Sequence, residues 1–143
     1  MIPALLTQLN EIPFLCLPSP KSLDNASVRK AWVDPVLAFP GTIEDKLHTS
    51  VIHIAQVLGN HLAQSDDKPV LITGGGALNT FLVNTLEKTS GRMIHLPDTT
   101  IIDYKEALAM AFMGVLSLRK EPNCLPSVTG ASHPVIAGEW HQP

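Results

Sequence analysis

The stretch Val70-Leu-Ile-Thr-Gly-Gly-Gly-Ala-Leu-Asn79 joins a short apolar run to three consecutive glycines. The run before the glycines predicts a buried parallel strand over Pro69–Thr73. After the glycines, leucines recur at helical spacing over residues 78–88, which predicts a helix, and Gly91 is suited to end it. The glycines are therefore predicted to occupy the turn between a strand and a helix.

A glycine-rich turn at the carboxyl end of a strand lies where open α/β sheets bind ligands. Without side chains, Gly74, Gly75 and Gly76 would let a ligand approach the backbone, and free amides at a helix start favour a phosphate or polar group. The spacing matches neither the dinucleotide fingerprint G-x-G-x-x-G nor a P-loop, which ends in G-K-[ST]. From the residues alone, a ligand site and a plain tight turn that needs a positive φ are both open interpretations.

Helical and strand patterns alternate on both sides of this turn. Residues 42–63 predict the longest helix, and Thr42 and Asp45 have the spacing of a capping box at its start. Its apolar positions form one stripe, the pattern of a helix that packs on a core: Ile43, Leu47, Val51, Ile54, Leu58 and Leu62. Residues 93–96 predict a second strand, and residues 104–118 predict another helix. The alternation predicts an α/β fold with few parallel strands flanked by helices.

Both ends of the chain are rich in proline. Six of the 12 prolines lie within the first 40 residues, and because proline fixes φ and removes a backbone donor, long regular elements are not expected there. We expect short helices near Ala4–Leu9 and Ala26–Val33 and an extended stretch over residues 14–22. The chain is thus predicted to comprise a long irregular segment, an α/β core and a loop tail: residues 1–41, 42–120 and 121–143.

Composition excludes several functional classes. Of the 143 residues, 45% are hydrophobic, enough to form a core, which argues against a disordered chain. A net charge of −3 with scattered basic residues argues against nucleic-acid binding. No apolar run reaches the roughly 18 residues of a membrane span, and the start does not resemble a signal peptide. Two distant cysteines indicate reduced thiols, so we expect a soluble, cytoplasmic protein.

Among the polar residues, Glu106 is the main candidate for chemistry. It is an acid in an otherwise apolar helical segment and could accept hydrogen bonds from substrate hydroxyls. Asp103 lies three residues earlier, at capping-box spacing, and the residues alone favour a purely structural cap at the start of the helix. The six histidines show no metal-ligand spacing. His53 lies among apolar residues, which predicts packing rather than catalysis.

Five segments, in order and covering nearly the whole chain, resemble the carboxyl-terminal part of the anhydro-N-acetylmuramic acid kinase family. The resemblance is specific because a single motif of this kind would be weak, whereas five in the right order are not. The segments are Leu17-Pro-Ser-Pro-Lys-Ser-Leu, Leu47-His-Thr-Ser-Val-Ile-His-Ile-Ala, Val70-Leu-Ile-Thr-Gly-Gly-Gly-Ala-Leu-Asn-Thr-Phe-Leu, Asp103-Tyr-Lys-Glu-Ala-Leu-Ala-Met-Ala-Phe-Met-Gly-Val-Leu and Asn123-Cys-Leu-Pro-Ser-Val-Thr-Gly-Ala.

The resemblance implies the two-domain fold of sugar kinases, actin and Hsp70, whose domains are of the ribonuclease H-like type, with ATP bound between them. It implies cleavage of the 1,6-anhydro ring of anhydro-N-acetylmuramic acid by water and phosphorylation of O6 from MgATP, a step that recycles cell-wall sugars in the bacterial cytoplasm. It further implies that Gly74, Gly75 and Gly76 lie on the nucleotide side of the cleft, with Asn79 nearby, and that Glu106 faces the sugar.

Two family motifs do not occur in the sequence: a Gly-Thr-Ser-x-Asp-Gly phosphate loop and the Asp-x-Gly-x-Gly segment that carries the catalytic aspartate. Because phosphoryl transfer depends on positioning and charge stabilisation, we expect no turnover and no bound metal from this chain alone. Its expected partner is the amino-terminal half of the kinase, and a homo-oligomer is also compatible with the sequence. Two alternatives remain: a non-catalytic domain that binds a nucleotide or a partner chain, and an unrelated α/β binding domain.

Overall fold

A computed structural model describes residues 1–18, 21–64, 68–139 and 141. The chain divides into two compact units, Met1–Leu96 and Pro97–Pro143, called unit 1 and unit 2 below. Each unit is described by itself. Residues 19 and 20 of the predicted extended stretch, and residues 140, 142 and 143 of the predicted tail, lie outside the described residues.

Unit 1 combines helices with a small parallel sheet, which confirms the predicted α/β class. Short one-turn helices of the 3-10 type occur at Pro13–Cys16 and Gly75–Leu78. The regular elements in chain order are α1 (Pro3–Asn10), α2 (Asn25–Val28), α3 (Asp34–Ala38), α4 (Ile43–Ala63), β1 (Val70–Leu71), α5 (Thr80–Ser90) and β2 (Ile94–His95).

The proline-rich start of the chain is more helical than its sequence predicts. The expected α1 is present, but the predicted extended stretch begins as a 3-10 turn at Pro13–Cys16. The helical run that starts at Asn25 passes Val33 and ends only at Ala38, with a wider π turn at Arg29–Val33 between α2 and α3. Proline lacks the amide that an α-helical bond needs, and a π turn before Pro35 absorbs this defect without ending the helix.

Helix α4 begins as predicted, but it buries a different face. The Thr42 hydroxyl accepts a hydrogen bond from the Asp45 amide at 3.2 Å, which confirms the predicted cap. The buried positions of α4 are Thr49, His53, Ala55 and Gly59, whereas four of the six residues in the predicted apolar stripe are exposed. The expectation that the stripe packs on a core is therefore wrong for these four residues, because α5 meets α4 at Ala55 and Gly59 instead. The start of the chain meets α4 at Thr49, whose hydroxyl accepts a hydrogen bond from the Ile2 amide.

The parallel sheet contains two strands among the described residues. Val70 pairs with Ile94 and Leu71 with His95, and the Ile72 amide extends the ladder by donating to the His95 carbonyl at 3.0 Å. This confirms the predicted parallel pairing, although each strand is only two residues long. A buried cluster covers one face of the sheet and joins it to α4 and α5: Ala55, Val83, Leu86 and Ile94.

Unit 2 is dominated by α6 (Thr99–Leu118), followed by the short α7 (Pro126–Thr129). The Asp98 side chain caps α6 by accepting a hydrogen bond from the Ile101 amide at 3.1 Å. The prediction that Asp103 caps a helix starting at Tyr104 is therefore wrong, because Asp98 supplies the same chemistry five residues earlier. The predicted loop tail contains α7 and an antiparallel bridge between Cys124 and Val135.

Candidate functional site

The glycine turn after β1 begins with a conformation that favours glycine. Gly74 has φ of 81° and ψ of −178°, a region that side chains with a Cβ rarely adopt. The next residues form a tight 3-10 turn, in which the Ala77 amide donates to the Gly74 carbonyl at 2.9 Å and the Asn79 amide to the Gly76 carbonyl at 3.1 Å. Turn geometry therefore explains the glycine at position 74.

Turn geometry does not explain the other two glycines. A Cβ built on Gly75 would meet no protein atom within 4 Å, and a Cβ on Gly76 would meet only the Leu82 Cδ2 atom, at an ordinary 3.7 Å. Neither residue has a positive φ in the range that disfavours side chains. Within the described residues the backbone of Gly75 therefore faces open space and that of Gly76 is also exposed, as both would be if another molecule approached them closely.

Asn79 has a structural role at the start of α5. Its Oδ1 atom accepts a hydrogen bond from the Leu82 amide at 3.0 Å, so Asn79 is the N-cap of the helix. This contact fixes α5 directly behind the glycine turn and orients the first amides of the helix. The predicted cluster of Gly74, Gly75, Gly76 and Asn79 is thus continuous in space, and the helix of the predicted strand–turn–helix unit starts at Thr80 rather than Leu78.

Thr73, the last residue before the glycines, is a candidate site residue that the sequence patterns do not predict. Its Oγ1 atom is buried and has no hydrogen-bond partner among the described residues. A buried hydroxyl without a partner is costly, and such groups are found where a ligand, water or another chain segment completes the structure. A threonine in place of an aliphatic residue at the end of an apolar strand is the signal that could have identified it.

Glu106 is exposed on the second turn of α6. Its side chain is 90% accessible, and it forms an ion pair with Lys105 at 3.5 Å. The structural cap favoured by the residues alone is wrong, because α6 starts at Thr99 and Glu106 lies well inside the helix. Glu106 belongs to unit 2, and the glycine turn belongs to unit 1.

His53 is buried, as its apolar neighbours predict. It is 2% exposed, and neither ring nitrogen has a hydrogen-bond partner among the described residues. Burial lowers the pKa of His53 below its usual 6.5, although the nearby Leu9 carbonyl partly offsets this effect, and the neutral ring is favoured. Across the described ranges, no three histidine, cysteine, aspartate or glutamate side chains converge as metal ligands would.

Comparison with known proteins identifies the family. The sequence profile of anhydro-N-acetylmuramic acid kinase matches residues 1–142. Similar curated proteins with that name occur in Nitrosospira multiformis (30% identical, 94% of this chain, 38% of the relative) and Methylorubrum populi (32%, 97% and 37%). A third occurs in Nitrosomonas europaea (31%, 92% and 38%).

The chain belongs to the anhydro-N-acetylmuramic acid kinase family, a class of kinases. It spans about 38% of the length of the curated relatives it matches. None of the helices in the described part of the chain is long and apolar enough to cross a membrane.

Proposed function

We propose that this chain forms part of an ATP-dependent anhydro-N-acetylmuramic acid kinase, and that its glycine turn contacts the nucleotide. The observation that carries the proposal is the open backbone at Gly75 and Gly76, where glycine is required neither by φ nor by a neighbouring atom. A nucleotide lying on this backbone would explain both residues. The amides that open α5, an 11-residue helix, add a partial positive charge that suits phosphate.

We further propose that Glu106 binds hydroxyl groups of the sugar. Its carboxylate is 90% exposed on α6 and pairs with Lys105 at 3.5 Å, so it is accessible to a ligand and can accept hydrogen bonds. In the proposed reaction, water adds at the anomeric carbon and loses a proton to a base, the bond from this carbon to O6 breaks, and O6 attacks the γ-phosphorus of ATP, from which ADP leaves. The proposed fold of the full-length kinase is the two-domain fold of actin and Hsp70, and its proposed location is the cytoplasm.

The phosphate loop and the Asp-x-Gly-x-Gly motif of the family do not occur in this sequence. Mg²⁺ in kinase sites is bound by one or two carboxylates together with the phosphates of the substrate. We therefore propose that the metal, the phosphate loop and the base that activates water come from another part of the kinase. Phosphoryl transfer needs these groups held together around the nucleotide, so the chain alone is expected to bind substrates weakly and not to turn them over.

The nucleotide contact is tested with Gly75→Ala and Gly76→Ala. Binding of ATP is measured by calorimetry, on the full chain and on a hybrid kinase in which this chain replaces the matching segment of the Nitrosospira multiformis relative. We expect each substitution to weaken ATP binding about tenfold or more and to change the free energy of unfolding by less than about 0.5 kcal/mol. Gly114→Ala is the matched control, because an added Cβ at Gly114 would also meet no protein atom within 4 Å. Unchanged ATP affinity in both variants would contradict the contact.

The sugar contact is tested in the hybrid kinase with Glu106→Gln. We expect weaker binding of the anhydro-sugar with unchanged ATP affinity, because the substitution removes only the negative charge of the acceptor. Asp103→Asn, also exposed on α6, is the control and is expected to leave sugar binding unchanged. Equal losses in the two variants would reflect general charge and not a contact at Glu106.

A non-catalytic domain that binds a nucleotide or a partner chain is the second candidate, because the open backbone at Gly75 accounts for binding and does not itself supply a catalytic group. The hybrid kinase separates the two functions. Formation of phosphorylated sugar by the hybrid, together with no product from the isolated chain, supports a kinase segment. A hybrid that binds ATP but forms no product supports the binding domain.

A further inference from the structure

One side of α4 is apolar and open to solvent. Ile43, Leu47, Ile54 and Leu58 lie on this side, which we call the α4 outer face, and each is exposed by 42–58%. They repeat at the three- and four-residue spacing of a helix face that packs on other elements. Exposed apolar residues are common when scattered, but a stripe of this length along one helix marks a surface that another structure covers.

The α4 outer face continues into a groove of about 540 Å³ within unit 1. Val33 and Leu37 lie on the far side of the groove, and Ile43, Leu47 and Ile54 lie on the near side. Among the described lining residues there is no aspartate, glutamate, lysine or arginine, and burial lowers the pKa of His53, which favours its neutral ring. A partner that fits here presents apolar side chains and no unpaired charge, because an unpaired charge buried in the groove would be costly.

The sheet of unit 1 is also covered on one side only. Val70 and Ile94 pack toward α4 and α5, whereas Leu71 points the other way and is 61% exposed. Parallel sheets occur almost entirely with both faces covered, usually by helices or a second layer. Unit 1 therefore has two apolar surfaces of the kind that lie inside an α/β protein.

We propose that the α4 outer face is the docking surface for the part of a full-length anhydro-N-acetylmuramic acid kinase that this chain does not span. The proposal rests on the proposed function. The relatives carry about 60% of their length beyond the matched segment, enough to supply a further apolar layer. The occupant is an uncharged apolar face of that part, which buries Leu47 and Ile54 when it binds.

The proposal predicts that the same substitution has different effects in the isolated chain and in the hybrid kinase. In the isolated chain, Leu47→Glu and Ile54→Glu replace residues that are about half exposed, so each should shift the unfolding midpoint in urea only slightly. In the hybrid kinase the same residues are covered, so each glutamate should shift the midpoint strongly to lower urea or prevent folding. Asn60→Glu, at an exposed position of α4 away from the outer face, is the control and should be neutral in both settings.

Sedimentation of the isolated chain distinguishes the other occupants. A chain that forms dimers, and that Leu47→Glu converts to monomers, would assign the surface to a second copy and overturn the proposal. Neutral effects of both glutamates in the hybrid, or failure of the unsubstituted hybrid to fold, would also overturn it. Loss of ATP binding in a hybrid that still shows the context-dependent glutamate effect would refute the proposed function and leave the docking surface intact.

Discussion

Units 1 and 2 both contain long helices with many apolar side chains, but the burial of those side chains is very different. Unit 1 has two buried clusters, one built around Leu5 and Leu9 and the other around Leu86 and Ile94. In the described part of unit 2, only Ile102 is buried. Unit 1 therefore has an internal source of stability, whereas α6 exposes most of its large apolar side chains.

The difference shows that an apolar helix does not by itself define a core. Helix α1 has eight residues and buries two leucines, because α4 and the helical run from Asn25 to Ala38 both pack against it. Helix α6 has 20 residues and a largely apolar sequence, yet Leu108 and Phe112 are both exposed by about 60%. The burial of a helix's apolar side chains depends on which other elements pack against it. The sequence of the helix does not specify those elements.

The largest expected effect comes from truncating one leucine in each unit. Leu86→Ala leaves a cavity in the core of unit 1 and should lower the free energy of unfolding by about 2–5 kcal/mol. Leu108→Ala on α6 should change it by less than about 0.5 kcal/mol. Native-state hydrogen exchange of amides in α5 and α6 measures both. A loss above about 1 kcal/mol for Leu108→Ala would show that α6 is packed in solution. The two units would then not differ in the burial of their apolar side chains.

A second test places alanine at a helical glycine in each unit. A Cβ at Gly59 would lie 2.7 Å from the Thr89 Cγ2 atom, whereas a Cβ at Gly114 would meet nothing within 4 Å. Gly59→Ala should therefore destabilise unit 1 by about 1–2 kcal/mol, because overpacking outweighs the gain in helix propensity. Gly114→Ala should stabilise α6 by about 0.5–1 kcal/mol.

The origin of the Gly59 effect is checked by a double-mutant cycle. Thr89→Ser removes the nearest methyl group and should recover part of the stability lost in Gly59→Ala. Strict additivity of the two substitutions would mean that the contact between α4 and α5 is looser in solution. Urea unfolding of the four proteins in the cycle provides the measurement.

Removal of a helix cap should have a smaller and more equal effect in the two units. Thr42 caps α4 and Asp98 caps α6, each through one side-chain oxygen that accepts a hydrogen bond from a backbone amide. Replacing either residue with alanine should cost about 1 kcal/mol of local stability, because the amide loses its partner. Hydrogen exchange in the first turn of each helix measures the loss. A much larger loss for Asp98 would indicate that α6 depends on its cap because it lacks a core.

The smallest effect near neutral pH concerns His53. Burial lowers its pKa below 6.5, so the unfolded chain takes up a proton at a higher pH than the folded chain does. Unit 1 should therefore lose stability as the pH falls from about 6.5 toward the lowered pKa. Asp45 does not interfere, because the hydrogen bond from the N-terminal amine lowers its pKa below 3.8 and confines its contribution to stronger acid.

His53→Gln removes the titrating ring and should flatten the pH dependence of unfolding between about pH 7 and 5. His133→Gln, at an exposed histidine of unit 2, is the matched control and should leave the profile unchanged. Unfolding free energies from urea titrations at several pH values provide the profiles. An unchanged profile in His53→Gln would show that His53 finds a hydrogen-bond partner when protonated.

The sequence predicted the elements near the glycine turn better than those at the ends. The parallel pairing, the Thr42 cap and the end of α5 at Gly91 depend on local chemistry, and all three are confirmed. The sequence did not predict that the helical run continues past Pro35 to Ala38, because it gives no sign of the π turn at Arg29–Val33 that precedes this proline. The start of α6 was misplaced because Asp98 and Asp103 are equally good caps by residue type.

The candidate site was predictable as a group of residues but not as a set of roles. Gly74 is explained by its φ of 81°, and Asn79 by its hydrogen bond to the Leu82 amide. The three glycines are identical in sequence, so only the backbone geometry distinguishes Gly74, which its φ explains, from Gly75 and Gly76, which it does not. The exposed side of α4 could not be foreseen either, because the pattern of an apolar stripe does not state which structure covers it.

The close approach at Gly59 has a mechanical consequence. The backbone of α4 at Gly59 lies so close to Thr89 of α5 that no side-chain carbon fits between them. Helix α5 begins directly after the glycine turn. A substitution that pushes α5 away from α4 at Gly59 is therefore expected to displace the start of α5 as well, next to Gly75 and Gly76.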